Sequence, residues 1–334
     1  MPTGKERMEA AFNGEKLDRV PVFLLLGGHL YEEAGFTLTQ VMTEPQAALE
    51  LAQFSSDKIE SDIMFVPYNP WLPSAQEAIR QIMGKAPSIK RDDIKERLPK
   101  WHVRDAREDK QFGAHLEVCE KTVEMFPDYH LETLIGGPFS FAMELRGAQE
   151  AMEDMYEDKQ FLHDLVTFTT DTVILRSLAV AELGITPFVG DPSAGMSMIS
   201  PALYREFVLP QHKRVVEAIH SKGGRVVLHI CGYVDPILED LVALGVDGLS
   251  IDAPTSLEKT FETGRGKTVI IGNVDPILFL EGKPEQLEEK VKECLDISQG
   301  EAKYAIGPGC GIPVAAPMDN ILHFVNSIHQ YGVY

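Results

Sequence analysis

Short β-rich runs alternate with helical patterns along almost the whole chain, and this rhythm narrows the possible folds more than any other feature. The runs fall at 20–26, 61–66, 132–135, 186–189, 225–229, 248–251, 268–271 and 304–306, most of them closed by Gly, Pro, Asn or Asp. Helical periodicity lies between them, at 149–183, 201–220, 234–244, 285–298 and 318–330, and a leading helix covers Met8 and Phe12. Strands alternating with helices build parallel βα units. Eight such strands predict a (β/α)8 TIM barrel with an N-terminal helical extension. A chain of 334 residues suits one barrel domain, 1–334. One gap, about 70–131, breaks the spacing and reads as an insertion between the second and third strands. It is expected to hold a helix at 74–83 and a polar, hairpin-bearing stretch around 101–123.

Charge and cysteine usage exclude several functions. The net charge is −20, which argues against a nucleic-acid surface, since phosphate binding needs clustered Lys and Arg. The segment 85–110 departs from this trend with more Lys and Arg than Asp and Glu, and reads as a solvated part of the insertion. No apolar stretch approaches the ~20 residues of a membrane span, and the N-terminus has no signal-peptide core. Four scattered cysteines form no secreted disulfide framework. The expected compartment is the reducing cytoplasm, where cysteines bind metal, act in catalysis or stay inert.

Nearly every conspicuous polar residue is expected just after a strand: Gly28 and His29, Asp62 and Tyr68, Gly137, Asp191, His229 with Cys231, Asp252, Asn273 and Cys310. In barrels of this class that end carries the active site. Turn chemistry explains the glycines but not a histidine and two cysteines. In LHICG, residues i and i+2 of an extended segment point the same way, so His229 and Cys231 face one point. Cys310 lies beyond the eighth strand in GPGCGIP, across the mouth of a closed barrel. One imidazole and two thiolates are favoured zinc ligands, and three protein ligands with an open position describe a catalytic zinc. The competing reading is metal-free: a core histidine, a small buried cysteine and a cysteine in a glycine loop. Two thiolates would neutralise the 2+ charge of zinc, leaving a site suited to activating a substrate thiol. Cys119 and Cys294 fit apolar positions and read as structural.

The blocks VPVFLLLGGHLYEE, SDIMFVP, LIGGPFSF, LHICGYVDPILEDLVALGVDGLSID, IGNVDP and GPGCGIP with MDNI, in this order, resemble the uroporphyrinogen decarboxylase superfamily. The resemblance runs from about residue 5 to 332 and implies a (β/α)8 barrel. It also implies one of two chemistries. The first is cofactor-free decarboxylation of uroporphyrinogen, with Asp62 at the catalytic aspartate position. The second is methyl transfer from a methyl-corrinoid protein to a thiol such as coenzyme M, on zinc held by H-x-C and a distant C. The decarboxylases carry MRQAGR after the first strand, whose arginines hold substrate carboxylates, and a histidine in the last loop. This chain has LLLGGHL and Cys310 there, so it resembles the methylcobamide:coenzyme M methyltransferases.

That likeness implies His229, Cys231 and Cys310 as zinc ligands with the fourth position open; Asp252 is the first candidate to reach the metal there, and a capping or turn role is the alternative for it and for Asp191. Asp191 is the second choice for that place, or a partner that orients His229. Asn273 and Asp275 are candidates for fixing substrate or loops, and Asp62 for structure or substrate binding. His29 and Gly137 are candidate contacts to substrate or corrinoid. The chain shows no D-x-H-x-x-G segment, so the corrinoid is expected on a partner protein. The acceptor is a small-molecule thiol or tetrahydrofolate. Walker and G-x-S-x-G patterns are absent, which sets aside nucleotide-binding and serine-hydrolase readings.

Overall fold

The computed structural model describes residues 1–27, 29–68, 90–103 and 105–334. The expected helix at 74–83 and Gly28 lie outside the described residues. Among the described residues, seven parallel strands form one sheet in sequential order. They are β1 (Ile63–Phe65), β2 (His130–Gly136), β3 (Thr186–Gly190), β4 (Val227–Ile230), β5 (Gly248–Ile251), β6 (Val269–Ile271) and β7 (Tyr304–Ala305). A helical segment follows each one, so every crossover is a βα unit, and the sheet curls into a TIM-barrel-like arrangement.

The expected first strand, 20–26, is not a regular strand. It meets β7 through a parallel bridge between Val22 and Ile306, with Phe23 N–H donating to the Ile306 carbonyl at 2.9 Å. On its other side Asp62 N–H donates to the Val22 carbonyl at 3.0 Å. Two local features keep the ladder short. Pro21 has no N–H to give, and Val22 donates its N–H to the Asp62 carboxylate at 2.7 Å instead of to a strand.

Alternation sets the two faces. Phe23, Ile63, Phe188, Val227, Val269, Ile271 and Ala305 pack together inside, while Val22, Leu228, Ile230, Leu249 and Ile251 pack under the helices. Helix Gly4–Asn13, started by a Thr3–Glu6 capping box, sends Met8, Ala11 and Phe12 into the inner cluster and plugs the amino-terminal end. Burial of side chains such as Met8 and Phe12 contributes about 1.5–3 kcal/mol each.

In the insertion the expected hairpin is instead a helix, Lys110–Met125. HLEVCEKTV does alternate, but the buried positions Phe112, His115, Leu116, Cys119 and Thr122 follow the helical repeat. Two expected long helices are interrupted. Asp158 accepts from Phe161 N–H and starts a new helix, Lys159–Ala181, after Ala148–Glu157. A π-turn, Tyr204–Val208, precedes Leu209–His220. Cys119 and Cys294 are buried, as expected.

Candidate metal centre

β4 aims His229 at the interior, where its ring stacks on Phe188 with centroids 5.6 Å apart. Cys231 follows at the strand end on the same side. Gly232, at φ 78°, then turns the chain away in a conformation that a side chain would strain. Cys310 arrives from the loop after β7. That loop runs close to its neighbours: a Cβ on Gly307 would lie 2.1 Å from the Phe23 carbonyl oxygen, and one on Gly309 2.5 Å from Ala253 N. GPGCGIP needs Gly307 and Gly309 for this approach.

These three side chains converge. His229 Nε2 is 3.2 Å from Cys231 Sγ, and Cys231 Sγ is 3.7 Å from Cys310 Sγ. All three donor atoms lie within 4.8 Å of one another, and no other such group of three appears among the described residues. His229 Nδ1 is 3.1 Å from Ser250 Oγ and 3.3 Å from the Ser250 carbonyl. A bound metal would require the tautomer with its proton on Nδ1, facing Ser250, and the Nε2 lone pair toward the sulfurs. The two thiols titrate as a pair. A hydrogen bond from Cys231, then one from His229, holds Cys310 well below the usual thiol range, while that bond, burial and the Cys310 charge push Cys231 up. One proton leaves easily and the second stays, so a cation is what would let both sulfurs be thiolates. The donor set therefore fits zinc in kind, number and proximity.

Hydrogen bonds between successive loops fix the spacing of the cysteines. Asp252 accepts from Gly232 N–H and Ala253 N–H, both at 2.7 Å. Thr255 Oγ1 donates to the Gly232 carbonyl and accepts from Val234 N–H. Asn273 Nδ2 donates to the carbonyls of Asp252 and Thr255. Gly309 N–H donates to the Val274 carbonyl. The loops after β4, β5, β6 and β7 are thus one bonded unit.

Several expected site residues do other work. Asp252 spends its carboxylate on backbone amides and stands outside the donor cluster. Asn273 ties loops together, one of the two roles expected of it, and Asp275 caps helix Pro276–Glu281. Asp191 does not touch the His229 ring. Its carboxylate accepts from Phe139 N–H, Ser140 N–H and Ser140 Oγ and bonds His212 Nε2 at 2.9 Å, while its own N–H donates to the His229 carbonyl. Gly137 makes room for it, since a Cβ there would lie 2.3 Å from Asp191 Cβ. His29 is buried, with Nδ1 accepting from Gly27 N–H and Nε2 donating to the Pro313 carbonyl. Burial lowers its pKa and keeps it neutral.

Asp62 requires the largest correction. β1 begins at Ile63, so Asp62 precedes its strand and lies at the amino-terminal end, opposite His229. There its buried carboxylate pairs with Arg7 at 3.0 Å and Arg19 at 2.5 Å. The expectation had missed Ser250 and Thr255. A serine on the inward face of the apolar strand GLSI was the available signal for the first; Thr255 had none.

With this geometry in place, the relatives become informative. The uroporphyrinogen decarboxylase (URO-D) profile matches residues 3–331. The chain belongs to the URO-D family. Within the family it is 26% identical over 345 residues to the methylcobamide:CoM methyltransferase MtbA of Methanosarcina acetivorans, covering 98% of both chains. It is 25% identical over 345 residues to the methylcobamide:CoM methyltransferase MtaA of Methanosarcina barkeri, again 98% of both. A solved methyltransferase from Methanosarcina mazei superposes with a TM-score of 0.83 at 24% identity, over 99% of each chain, and so shares the fold. No described helix of this URO-D family member is long and apolar enough to cross a membrane.

Proposed function

We propose that this chain is a zinc-dependent methyltransferase that moves a methyl group from a methyl-corrinoid, carried by a partner protein, to a thiol acceptor. The carrying observation is the convergence of His229 Nε2, Cys231 Sγ and Cys310 Sγ within 4.8 Å, with Ser250 bonding the far nitrogen of the imidazole. The names of the MtbA and MtaA relatives support the same reading. In this reading the fold is a single (β/α)8 barrel domain with 20–26 as its irregular first strand, working in the cytoplasm.

The three residues would hold zinc, which when bound lowers the pKa of a ligating thiol and presents its sulfur as a nucleophile. His229 would offer Nε2, with Ser250 bonding its Nδ1. Cys231 and Cys310 bring two negative charges, which offset the 2+ ion. The bonded loops keep both sulfurs in place through the reaction. In the transfer the acceptor sulfur bonds the methyl carbon and the carbon–cobalt bond breaks. Its electron pair stays with the corrinoid substrate, and the thiol proton goes to solvent. Decarboxylation through Asp62 has no comparable support, because that carboxylate is neutralised by two arginines at the opposite end.

The test is methylcobalamin consumption with a panel of thiols, followed by identification of the thioether. Wild type is expected to form methyl thioether and chelator-treated protein or Cys310→Ala to form none. Thioether formation undiminished by both treatments would overturn the proposal.

A further inference from the structure

A cavity of about 360 Å³ lies between the segments 24–27 and 64–67. Hydrogen bonds join these segments at Val22 and Asp62, and beyond that point the walls part. Its lining is apolar, with Leu25, Leu26, Met42, Met64, Phe65 and Ile312 among the contributors. Ligand pockets of small molecules fall in this size range and carry this lining.

Two features connect the cavity to the metal centre. Gly311 and Ile312 form part of its wall, directly after Cys310. On the inner side, the Phe65 ring meets Phe188 at 5.2 Å, and Phe188 stacks on His229. Charge then limits what can enter. Among the described lining residues His29 is the one imidazole, and its burial keeps it neutral; none of the others is Lys, Arg, Asp or Glu. The described stretches that directly leave the strand ends, at 27, 29–37, 66–68, 191–200, 231–234, 252–256, 272–275 and 306–317, contain no Lys or Arg, and their charged residues are all acidic. A sulfonate or carboxylate taken from water into this region would find no cation among the described residues to replace its hydration.

We infer that the methyl acceptor is an uncharged thiol with an apolar body, seated in this cavity with its sulfur directed past Gly311 toward the donor cluster. This rests on the thiol-acceptor reading above and narrows it, setting sulfonated thiols and the carboxylates of tetrahydrofolate aside. The bonds made and broken are those already described.

Two thioether products of similar size separate the possibilities: benzyl methyl sulfide, which is neutral, and 2-(methylthio)ethanesulfonate. Their binding is measured by calorimetry on zinc-loaded and chelator-stripped protein, beside methyl transfer to the two parent thiols. The neutral thioether is expected to bind at least about tenfold more tightly in both forms. Met64→Arg, and independently Leu26→Arg, is expected to reduce that preference by about tenfold. Equal or tighter binding of the sulfonate overturns the inference, and its methylation would leave the zinc–thiol reading standing. Neutral-thioether binding with neither thiol methylated supports the cavity assignment and sinks the thiol-acceptor reading instead. Binding of neither product overturns the inference.

Discussion

His229 presents one particular nitrogen to the sulfurs, and Ser250 decides which. Removing that hydroxyl leaves the carbonyl contact at 3.3 Å as the remaining hold on Nδ1. Ser250→Ala is therefore expected to weaken zinc binding by about 10–100-fold with little change in fold, measured by competition with a chromogenic chelator. Unchanged affinity would remove Ser250 from the account. The three donors were legible in the sequence because strand periodicity pairs His229 with Cys231, and a barrel brings the last loop across to them. Ser250 was hidden because its partner lies on another strand, in a register that sequence alone does not set. Asp191 and Asp252 were recognised as positioned residues, but a carboxylate after a strand has many amides to choose from. Here both chose backbone N–H groups.

Among the elements, β1 shows how direction decides the end a residue belongs to. A strand at 61–66 already begins with Asp62, so grouping it with the residues that follow strands misplaced it; β1, starting at Ile63, sets the carboxylate before its strand, at the amino-terminal end. Arg7, Arg19 and the Val22 N–H all converge on it, so Asp62 joins the leading helix, the irregular first strand and β1. Asp62→Asn leaves the largely buried Arg19 guanidinium facing a neutral amide and Arg7 with Asp18 as its remaining carboxylate. A loss of about 3–5 kcal/mol in unfolding free energy is expected, read by urea denaturation, with zinc content unchanged. Loss of activity at full stability would instead return Asp62 to catalysis. The strand order and the leading helix were legible because glycine-closed apolar runs mark them. The helix Lys110–Met125 was not, because HLEVCEKTV satisfies a two-residue repeat locally, while tertiary burial follows the longer one.

For the whole molecule, pH and metal are the informative variables. Burial pushes His115 down to about 4, from 6.5, and its nitrogens are already spent on the Tyr68 carbonyl and Thr133. The unfolded chain binds a proton here that the folded chain refuses, so stability falls as pH drops from about 6.5 toward 4. Between pH 7 and pH 5 this costs about 2 kcal/mol. His115→Gln is expected to flatten that part of the stability profile, measured by urea unfolding across the range. A profile as steep as wild type would assign the acid sensitivity elsewhere. The central claim is that three side chains from two distant parts of the chain make one zinc site. Elemental analysis of purified wild type beside Cys310→Ala tests it most directly. About one zinc per chain in wild type, lost in the variant, is the predicted result. No zinc in either protein after metal-replete expression, or equal zinc in both, would contradict it.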